Sequence, residues 1–170
     1  MRAVMLWVLG WWAACACAQP VPEMNMKALY LFNFMRYVDW PNADPEGERV
    51  RLCVYGQDPI GPALDTIDGK PLGGGRQVNV VRTRSLAGLG SCRLLYVADA
   101  EAGDMPKVMA ALGGKPVLVV AESPLARGSA AIVWSLQHSR LVFDVNLKAV
   151  RQADLRMSSK LLRLARTVEE

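Results

Sequence analysis

The sequence predicts an α/β fold of three layers, in which helices cover both faces of a mainly parallel sheet. Apolar segments of strand length alternate with short helical segments through most of the chain, which is the pattern of repeated βαβ units. One of these segments, Pro116–Val120, is apolar throughout, as is typical of a parallel strand buried on both faces. Two others, Ala130–Leu136 and Arg140–Val145, lie only three residues apart and predict an antiparallel hairpin.

The first 18 residues have the layout of a secretory signal. Arg2 supplies a positive charge, residues 3–14 form an uncharged run too short to span a bilayer, and residues 16–18 form an A-x-A cleavage site. We expect cleavage after Ala18 and export, with lipoprotein processing at Cys15 or Cys17 as the alternative. The remaining residues, 19–170, are about one domain's worth.

Cys53 and Cys92 are the two cysteines that the exported chain retains. Two cysteines in an oxidising compartment, with no others to compete, are expected to form a disulfide; two buried free thiols are the alternative. By closing a loop of the unfolded chain, a disulfide would stabilise the fold by about 4 kcal/mol in the chain-entropy model. With His138, these cysteines show no zinc-binding spacing, so we expect neither a metal nor a cofactor.

Glu23–Trp40 is the first predicted element, a helix ended by Pro41. It is apolar on nearly all sides, which indicates a central core helix or one that a second copy of the chain partly covers. The second possibility predicts a homodimer. Tyr37 and Trp40, near the end of this helix, are candidate partner-binding residues; in a central core helix they would be buried within one chain.

Six strands follow this helix, with short helices predicted around Ala63–Ile67 and over Gly103–Leu112. The predicted strands are Val50–Tyr55, Gln77–Arg82, Arg93–Ala98, Pro116–Val120, Ala130–Leu136 and Arg140–Val145. If the cysteines pair, the first and third strands must be neighbours, because disulfide-bonded Cα atoms lie within about 7 Å. This favours the strand order 2-1-3-4, with the hairpin at the far edge.

The end of the chain, after the hairpin, predicts two helices. Asn146 can cap a short one, and Ser158 or Ser159 can cap a longer one. In the longer helix an apolar stripe would comprise Leu161, Leu164, Ala165 and Val168, while Lys160, Arg163 and Arg166 would form a basic face on another side. This basic face is either a solvated surface or a docking face for a partner.

Four polar residues follow predicted strands at the edge where open α/β sheets bind ligands. Asp99 and Glu101 come after the third strand, and Glu122 and Ser123 after the fourth. They are candidates for a small-ligand crevice, although ordinary loop positions would have the same residues. We expect His138 to be solvated in the hairpin turn and assign no catalytic residue. The sequence contains no nucleophile-elbow motif and no aromatic-studded basic groove for nucleic acid.

Long segments of the chain resemble the YfiR family of periplasmic proteins. The matching segments are KALYLFNFMRYVDWP (Lys27–Pro41), RLCVYG with DPIG (Arg51–Gly61), GGRQVNV (Gly74–Val80), CRLLYVA (Cys92–Ala98), PVLVVAES (Pro116–Ser123) and RLVFDVNLKAVRQADLRMSSKLLRLA (Arg140–Ala165). The resemblance implies an α/β sandwich that dimerises. It also implies a non-enzymatic regulator that binds and represses the periplasmic sensor domain of an inner-membrane diguanylate cyclase.

The resemblance extends to one of the two cysteine pairs found in the family. Cys53 and Cys92 match the first pair, but the segment Ala121–Gly128, which matches the second pair of some members, has no cysteine. A redox switch that depends on the second pair is therefore not expected here. Two other functions stay open, a periplasmic module that binds a small ligand and an envelope hydrolase.

Overall fold

The computed structural model describes residues 23–41, 49–138 and 140–170. The predicted signal sequence and its lipoprotein alternative lie outside these ranges. The strands are β1 (Val38–Asp39), β2 (Arg49–Tyr55), β3 (Pro71–Gly73), β4 (Arg76–Thr83), β5 (Leu94–Val97), β6 (Leu118–Ala121), β7 (Ile132–Gln137), β8 (Arg140–Asn146), β9 (Arg156–Met157) and β10 (Thr167–Glu169). The helices are α1 (Glu23–Tyr37), α2 (Pro62–Asp65), α3 (Met105–Leu112), α4 (Leu147–Gln152) and α5 (Ser159–Leu162).

Eight strands form the main sheet, in the order β10-β8-β7-β6-β5-β2-β4-β3. Strands β4, β2, β5, β6 and β7 run parallel, and β7 and β8 form the antiparallel hairpin. The predicted order 2-1-3-4, with the hairpin beyond the fourth strand, is therefore confirmed. The short edge strands β3 and β10 extend the sheet on either side and were not predicted.

Helices cover both faces of this sheet, so the predicted three-layer α/β class is also confirmed. The first hydrophobic core lies between one face of the sheet and helices α1, α2, α4 and α5. Its fully buried side chains include Leu31, Phe34 and Leu52. A second, smaller core lies between the opposite face and α3, and includes Val108 and Leu95.

The disulfide between Cys53 and Cys92 joins β2 to the loop just before β5. The two Cα atoms are 5.9 Å apart. It lies in the second core, where both cysteines are almost fully buried. The predicted disulfide is confirmed, and so is the inference that β2 and β5 are neighbours, since Leu52 pairs with Leu94.

Helix α1 is the core helix that its apolar sequence predicts, but it ends three residues early. After Tyr37 the chain becomes extended, and Val38 and Asp39 pair antiparallel with β9 in a separate two-stranded sheet. Tyr37 and Trp40 pack against the first core and are partly buried within one chain. Leu29, which is 48% exposed, lies on the outward face of the helix.

The prediction of a long C-terminal helix from Ser158 onward is wrong. Ser158 does cap a helix, accepting from Lys160 N at 3.2 Å, but this helix, α5, ends at Leu162. Leu161 is buried, whereas Leu164 is 68% exposed, so the predicted apolar stripe does not exist. The chain turns back to the sheet, and Arg166 N donates to Phe143 O at 2.8 Å before β10 pairs with β8.

Candidate functional site

A crevice of about 330 Å³ opens at the carboxyl ends of β5 and β6, where the sheet meets the first turn of α1. Two of the four predicted crevice residues, Asp99 and Glu122, line it, together with Glu23 and Lys27 of α1. The carboxyl ends of neighbouring parallel strands meet at one edge of the sheet. Asp99 and Glu122, 23 positions apart in the chain, are therefore brought together. We call the opening that these four charged residues line the acidic crevice.

Lys27 is the central charge of the acidic crevice and is only 6% exposed. Its ammonium nitrogen lies 2.7 Å from Glu23 Oε1, one helical turn earlier, and 2.5 Å from Glu122 Oε1. Burial opposes the charged form, but the hydrogen bonds and charges of Glu122 and Glu23 outweigh it and raise the pKa of Lys27. The ammonium is therefore held in its protonated state, paired with two carboxylates, and cannot serve as a nucleophile or a base.

The walls of the crevice are largely apolar and come from the hairpin, with Trp134 and Leu136 on β7 and Leu141 on β8. The Trp134 ring packs on the Tyr96 ring, with 5.3 Å between the centroids. Tyr96 is fully buried, and its hydroxyl lies beside the Glu122 carboxylate. Burial above all, and then the charge of Glu122, raise the pKa of Tyr96, so it stays a neutral phenol.

The other two predicted crevice residues do not line this crevice. Glu101 Oε1 accepts from Gln57 N at 3.2 Å, beside Gly56, where φ is +90° and the Glu101 side chain occupies the space of a Cβ. Ser123 is buried and caps a 3₁₀ turn by accepting from Leu125 N at 3.4 Å. In both cases a backbone N–H donates to the oxygen that the sequence position suggested for a ligand, from Gln57 across the fold for Glu101 and from the same turn for Ser123.

The predicted basic face is also divided by the fold. Lys160 and Arg163 are exposed, but Arg166 forms a two-point ion pair with Asp144, in which Nε donates to Oδ1 at 2.8 Å and a terminal nitrogen donates to Oδ2. A second guanidinium, Arg127, lies 3.4 Å from the same oxygen. Asp144 is only 8% exposed, so Arg166, although exposed itself, pairs with a buried carboxylate and lies beyond the end of α5.

This ion pair predicts a pH dependence of stability. Arg166 is the main cause that lowers the pKa of Asp144 below its ordinary value of 3.8. A carboxylate whose pKa is lower in the folded state stabilises the fold above the unfolded pKa, and this contribution disappears as pH falls through the folded pKa. Urea unfolding at pH 7 and near pH 3 should therefore show a larger loss of stability for the unmodified protein than for Asp144→Asn. Equal losses would contradict the prediction.

A second depression, of about 420 Å³, lies at the other end of α1. Trp40 lines it together with Asp39, Pro41, Asp154 and Arg156, and the Trp40 indole nitrogen is buried without a hydrogen-bond partner among the described residues. Of the two aromatic residues predicted to bind a partner, Trp40 thus lines this depression; its role in binding stays a prediction.

His138 is exposed in the turn between β7 and β8, as the sequence predicted, and it adopts a φ of +48° there.

Sequence reasoning missed Lys27 as a site residue. The available signal was a single lysine within a helix that is otherwise apolar on that side. Across residues 23–41, 49–138 and 140–170, no helix has the length and apolar character needed to cross a membrane.

Two solved structures share this fold at low sequence identity. A conserved domain protein from Vibrio cholerae O1 biovar El Tor matches 86% of this chain with a TM-score of 0.56 and 10% identity. An ABC domain in complex with L-Trp from Streptococcus pneumoniae matches 83% with a TM-score of 0.55 and 10% identity. This chain spans 60% of the length of each of those chains, so the likeness shows a common fold and no more.

A comparison with family models gives a more specific result. The model of the YfiR/HmsC-like family matches residues 24–166, which extend from the start of α1 to the arginine that pairs with Asp144. The match therefore includes the acidic crevice except Glu23, both cysteines of the disulfide, and the hairpin. The chain belongs to the YfiR/HmsC-like family.

Proposed function

We propose that this protein is a periplasmic, non-enzymatic regulator that binds the periplasmic domain of an inner-membrane diguanylate cyclase and represses it. The family match over residues 24–166 is the observation that carries the proposal, because the resemblance to YfiR implies this role. The disulfide between Cys53 and Cys92 agrees with an oxidising compartment, and residues 1–18 have the layout of an export signal.

The chemistry of the acidic crevice supports a binding role over a catalytic one. Lys27, the one ammonium group among its lining residues, is held protonated between two carboxylates. Burial and the Glu122 charge raise the pKa of Tyr96, which stays a neutral phenol. Neither group is poised to take a proton from a substrate near neutral pH, which general-base or nucleophilic catalysis requires.

The partner contact is proposed on exposed residues that the fold does not need. Lys160 and Arg163 qualify, since both side chains are exposed. Leu29, exposed on α1, marks a second surface that a homodimer could cover. Charges at the rim of an interface mainly change the association rate, whereas a like charge facing a charged partner costs several kcal/mol.

Reversing the charge of both residues, with Lys160→Glu and Arg163→Glu, should keep a normal melting transition and raise cyclic-di-GMP in cells, as deletion of the whole protein should. Exposed substitutions of this kind change stability by less than about 0.5 kcal/mol. The matched control is Lys70→Glu with Arg84→Glu, two exposed cations next to β3 and β4 at the opposite edge of the sheet. This control should repress normally.

Pull-down from solubilised membranes tests the proposal directly, with the retained proteins identified by mass spectrometry. We expect a diguanylate cyclase to be retained by the unmodified protein and less by the Lys160→Glu, Arg163→Glu variant. Full repression by that variant would remove these two residues from the contact. If deletion leaves cyclic-di-GMP unchanged and no cyclase is retained, the proposed function is wrong.

A further inference from the structure

The two ends of the main sheet differ in charge. The acidic crevice opens at the carboxyl ends of β5 and β6, whereas a polar depression of about 270 Å³ lies at the amino ends of β2 and β5. Among the residues that the structure describes, the charged ones lining this depression are Arg49, Arg51 and Arg93. Arg93 and Asp99 flank β5 at opposite ends, about 20 Å apart along an extended chain. This separation exceeds the Debye length of about 8 Å, so the acidic crevice does not cancel the positive field at the amino ends.

Arg49 and Arg51 lie on the same face of β2, because successive side chains of a strand point to opposite faces. Val50, between them, is buried in the first core, and Cys53, two residues beyond Arg51, is buried in the second core. Both arginines are exposed, so they continue the second face of the sheet past the part that the second core covers. They are therefore open to a partner that approaches this end of the sheet.

Arg93 is the neighbour of Arg51 across the sheet. It immediately precedes β5, its N–H donates to Arg51 O at 2.9 Å, and the next residues along the two strands, Leu52 and Leu94, are paired. Like charges side by side on one face of a sheet are destabilising. Arg93 has an interaction partner in the chain, so the exposed Arg49 and Arg51 are the side chains offered to a ligand. An anion bound by these two would also relieve the repulsion from Arg93.

Lys115 adds a cation from another part of the chain, the turn between α3 and β6. Its side chain is exposed, and its stem lies against Gly90, where a Cβ would come within 3.0 Å of Lys115 Cγ. Gly90 lines the same depression as Arg49 and Arg51. We call Arg49, Arg51 and Lys115 the basic edge.

The spread of the basic edge fits an anionic surface better than one compact anion. Its residues lie at the starts of β2 and β6, which flank β5, so they extend over roughly 10 Å, or two strand spacings. A bilayer that contains anionic phospholipid presents many phosphate groups side by side, and a guanidinium can donate two parallel hydrogen bonds to one phosphate. Each Lys or Arg close to such a surface strengthens binding. Docking by this end also points the acidic crevice away from the negative bilayer.

We propose that the basic edge docks this protein on an anionic phospholipid surface, where Arg49 and Arg51 bind headgroup phosphates and Lys115 lies beside them. Such docking would hold the regulator at the membrane that anchors its partner, a role that rests on the proposed function. The docking itself needs no contact with a cyclase. Vesicles without any protein partner therefore test it separately, and its failure would leave the proposed function standing.

Cosedimentation of the mature protein with lipid vesicles tests the proposal. We expect binding to vesicles of phosphatidylcholine mixed with phosphatidylglycerol to be at least about tenfold stronger than to phosphatidylcholine alone, and sodium chloride should weaken it. Equal binding to both would overturn the proposal; it is the result expected if Asp44, Glu46 and Glu48, which precede β2 in the sequence, offset the basic edge. Inorganic phosphate that releases the protein better than chloride at the same ionic strength would show a site for free phosphate and would overturn surface docking.

The variant Arg49→Glu, Arg51→Glu assigns the binding to the basic edge. It should bind anionic vesicles at least about tenfold more weakly and keep a normal melting transition, because both side chains are exposed. If this double reversal does not fold, Arg49→Gln with Arg51→Gln tests the same contact without reversing charge, and it should weaken binding several-fold. Unchanged affinity in the folded variant would overturn the proposal.

The matched control is Arg84→Glu with Arg140→Glu, which changes the net charge equally at the opposite end of the sheet. Arg84 follows β4, Arg140 opens β8 beside the carboxyl end of β7, and both are exposed. This control should lose much less affinity for anionic vesicles than Arg49→Glu, Arg51→Glu. An equal loss in the two variants would show attraction by net charge alone and would overturn the proposal.

Discussion

Replacing Cys53 by alanine is expected to lower the free energy of unfolding by about 4 kcal/mol, within the 2–5 kcal/mol typical of disulfides in small secreted domains. The bond closes a loop between residues 39 positions apart, so its loss returns considerable conformational freedom to the unfolded chain. Both cysteines are almost fully buried, so the change also leaves a small cavity and an unpaired thiol in the second core. Urea unfolding monitored by tryptophan fluorescence measures the effect.

The double variant Cys53→Ala, Cys92→Ala is the control, since it removes the bond without leaving a free thiol. It should lose nearly as much stability as the single variant, and reduction of the unmodified protein should produce a similar loss. Thiol counting on denatured, unreduced mature protein should find no free thiol. Two free thiols, or a stability that reduction does not change, would show that the bond does not form in the exported protein.

Arg166→Glu is expected to destabilise the protein by about 1–3 kcal/mol, because it removes the exposed partner of Asp144 and leaves a buried carboxylate without its main hydrogen-bond donor. Asp144, 8% exposed, would lose its two-point partner and face a second carboxylate. It would retain the longer contact to Arg127, at 3.4 Å, and a hydrogen bond from Thr167. The loss of the pair should also weaken the attachment of β10, because Arg166 directly precedes that strand.

Arg163→Glu is the matched control, with the same substitution three residues earlier on an exposed side chain. It should change stability by less than about 0.5 kcal/mol. Arg166→Lys should be intermediate, because lysine keeps the charge and loses the planar two-point geometry. Equal unfolding midpoints for Arg166→Glu and Arg163→Glu would show that the Asp144 pair does not stabilise the fold. A charge-reversal test of partner binding must therefore omit Arg166.

Sequence reasoning predicted the sheet because the strands are marked by local and independent signals. Apolar runs such as Pro116–Val120 identify buried parallel strands, and the three-residue spacing before Arg140 identifies the hairpin. The cysteine pair then makes β2 and β5 neighbours, and right-handed crossovers leave few orders for the rest. Each of these signals depends on residues close together in the chain or on one covalent link, so each can be recognised from the sequence alone.

The candidate site was half predicted, for a related reason. Asp99 and Glu122 were found because they follow strands whose carboxyl ends meet at one edge. Glu101 and Ser123 satisfy the same rule, yet backbone N–H groups of Gln57 and Leu125 take their oxygens. Lys27 was missed because its partner Glu122 is 95 positions away, and no local pattern marks a contact across that separation.

The C-terminal segment shows where local patterns fail. Residues 159–168 favour a helix with an apolar stripe and a basic face, and Ser158 does start one. However, Asp144 is buried on β8, and an unpaired buried carboxylate costs several kcal/mol, more than the few tenths per residue that helix propensity contributes. Arg166 pairs with it, so the helix stops at Leu162 and the chain continues as β10. Covalent links and local periodicity thus set the strands and their order, whereas the helix end and the role of each charge depend on which buried group needs a partner.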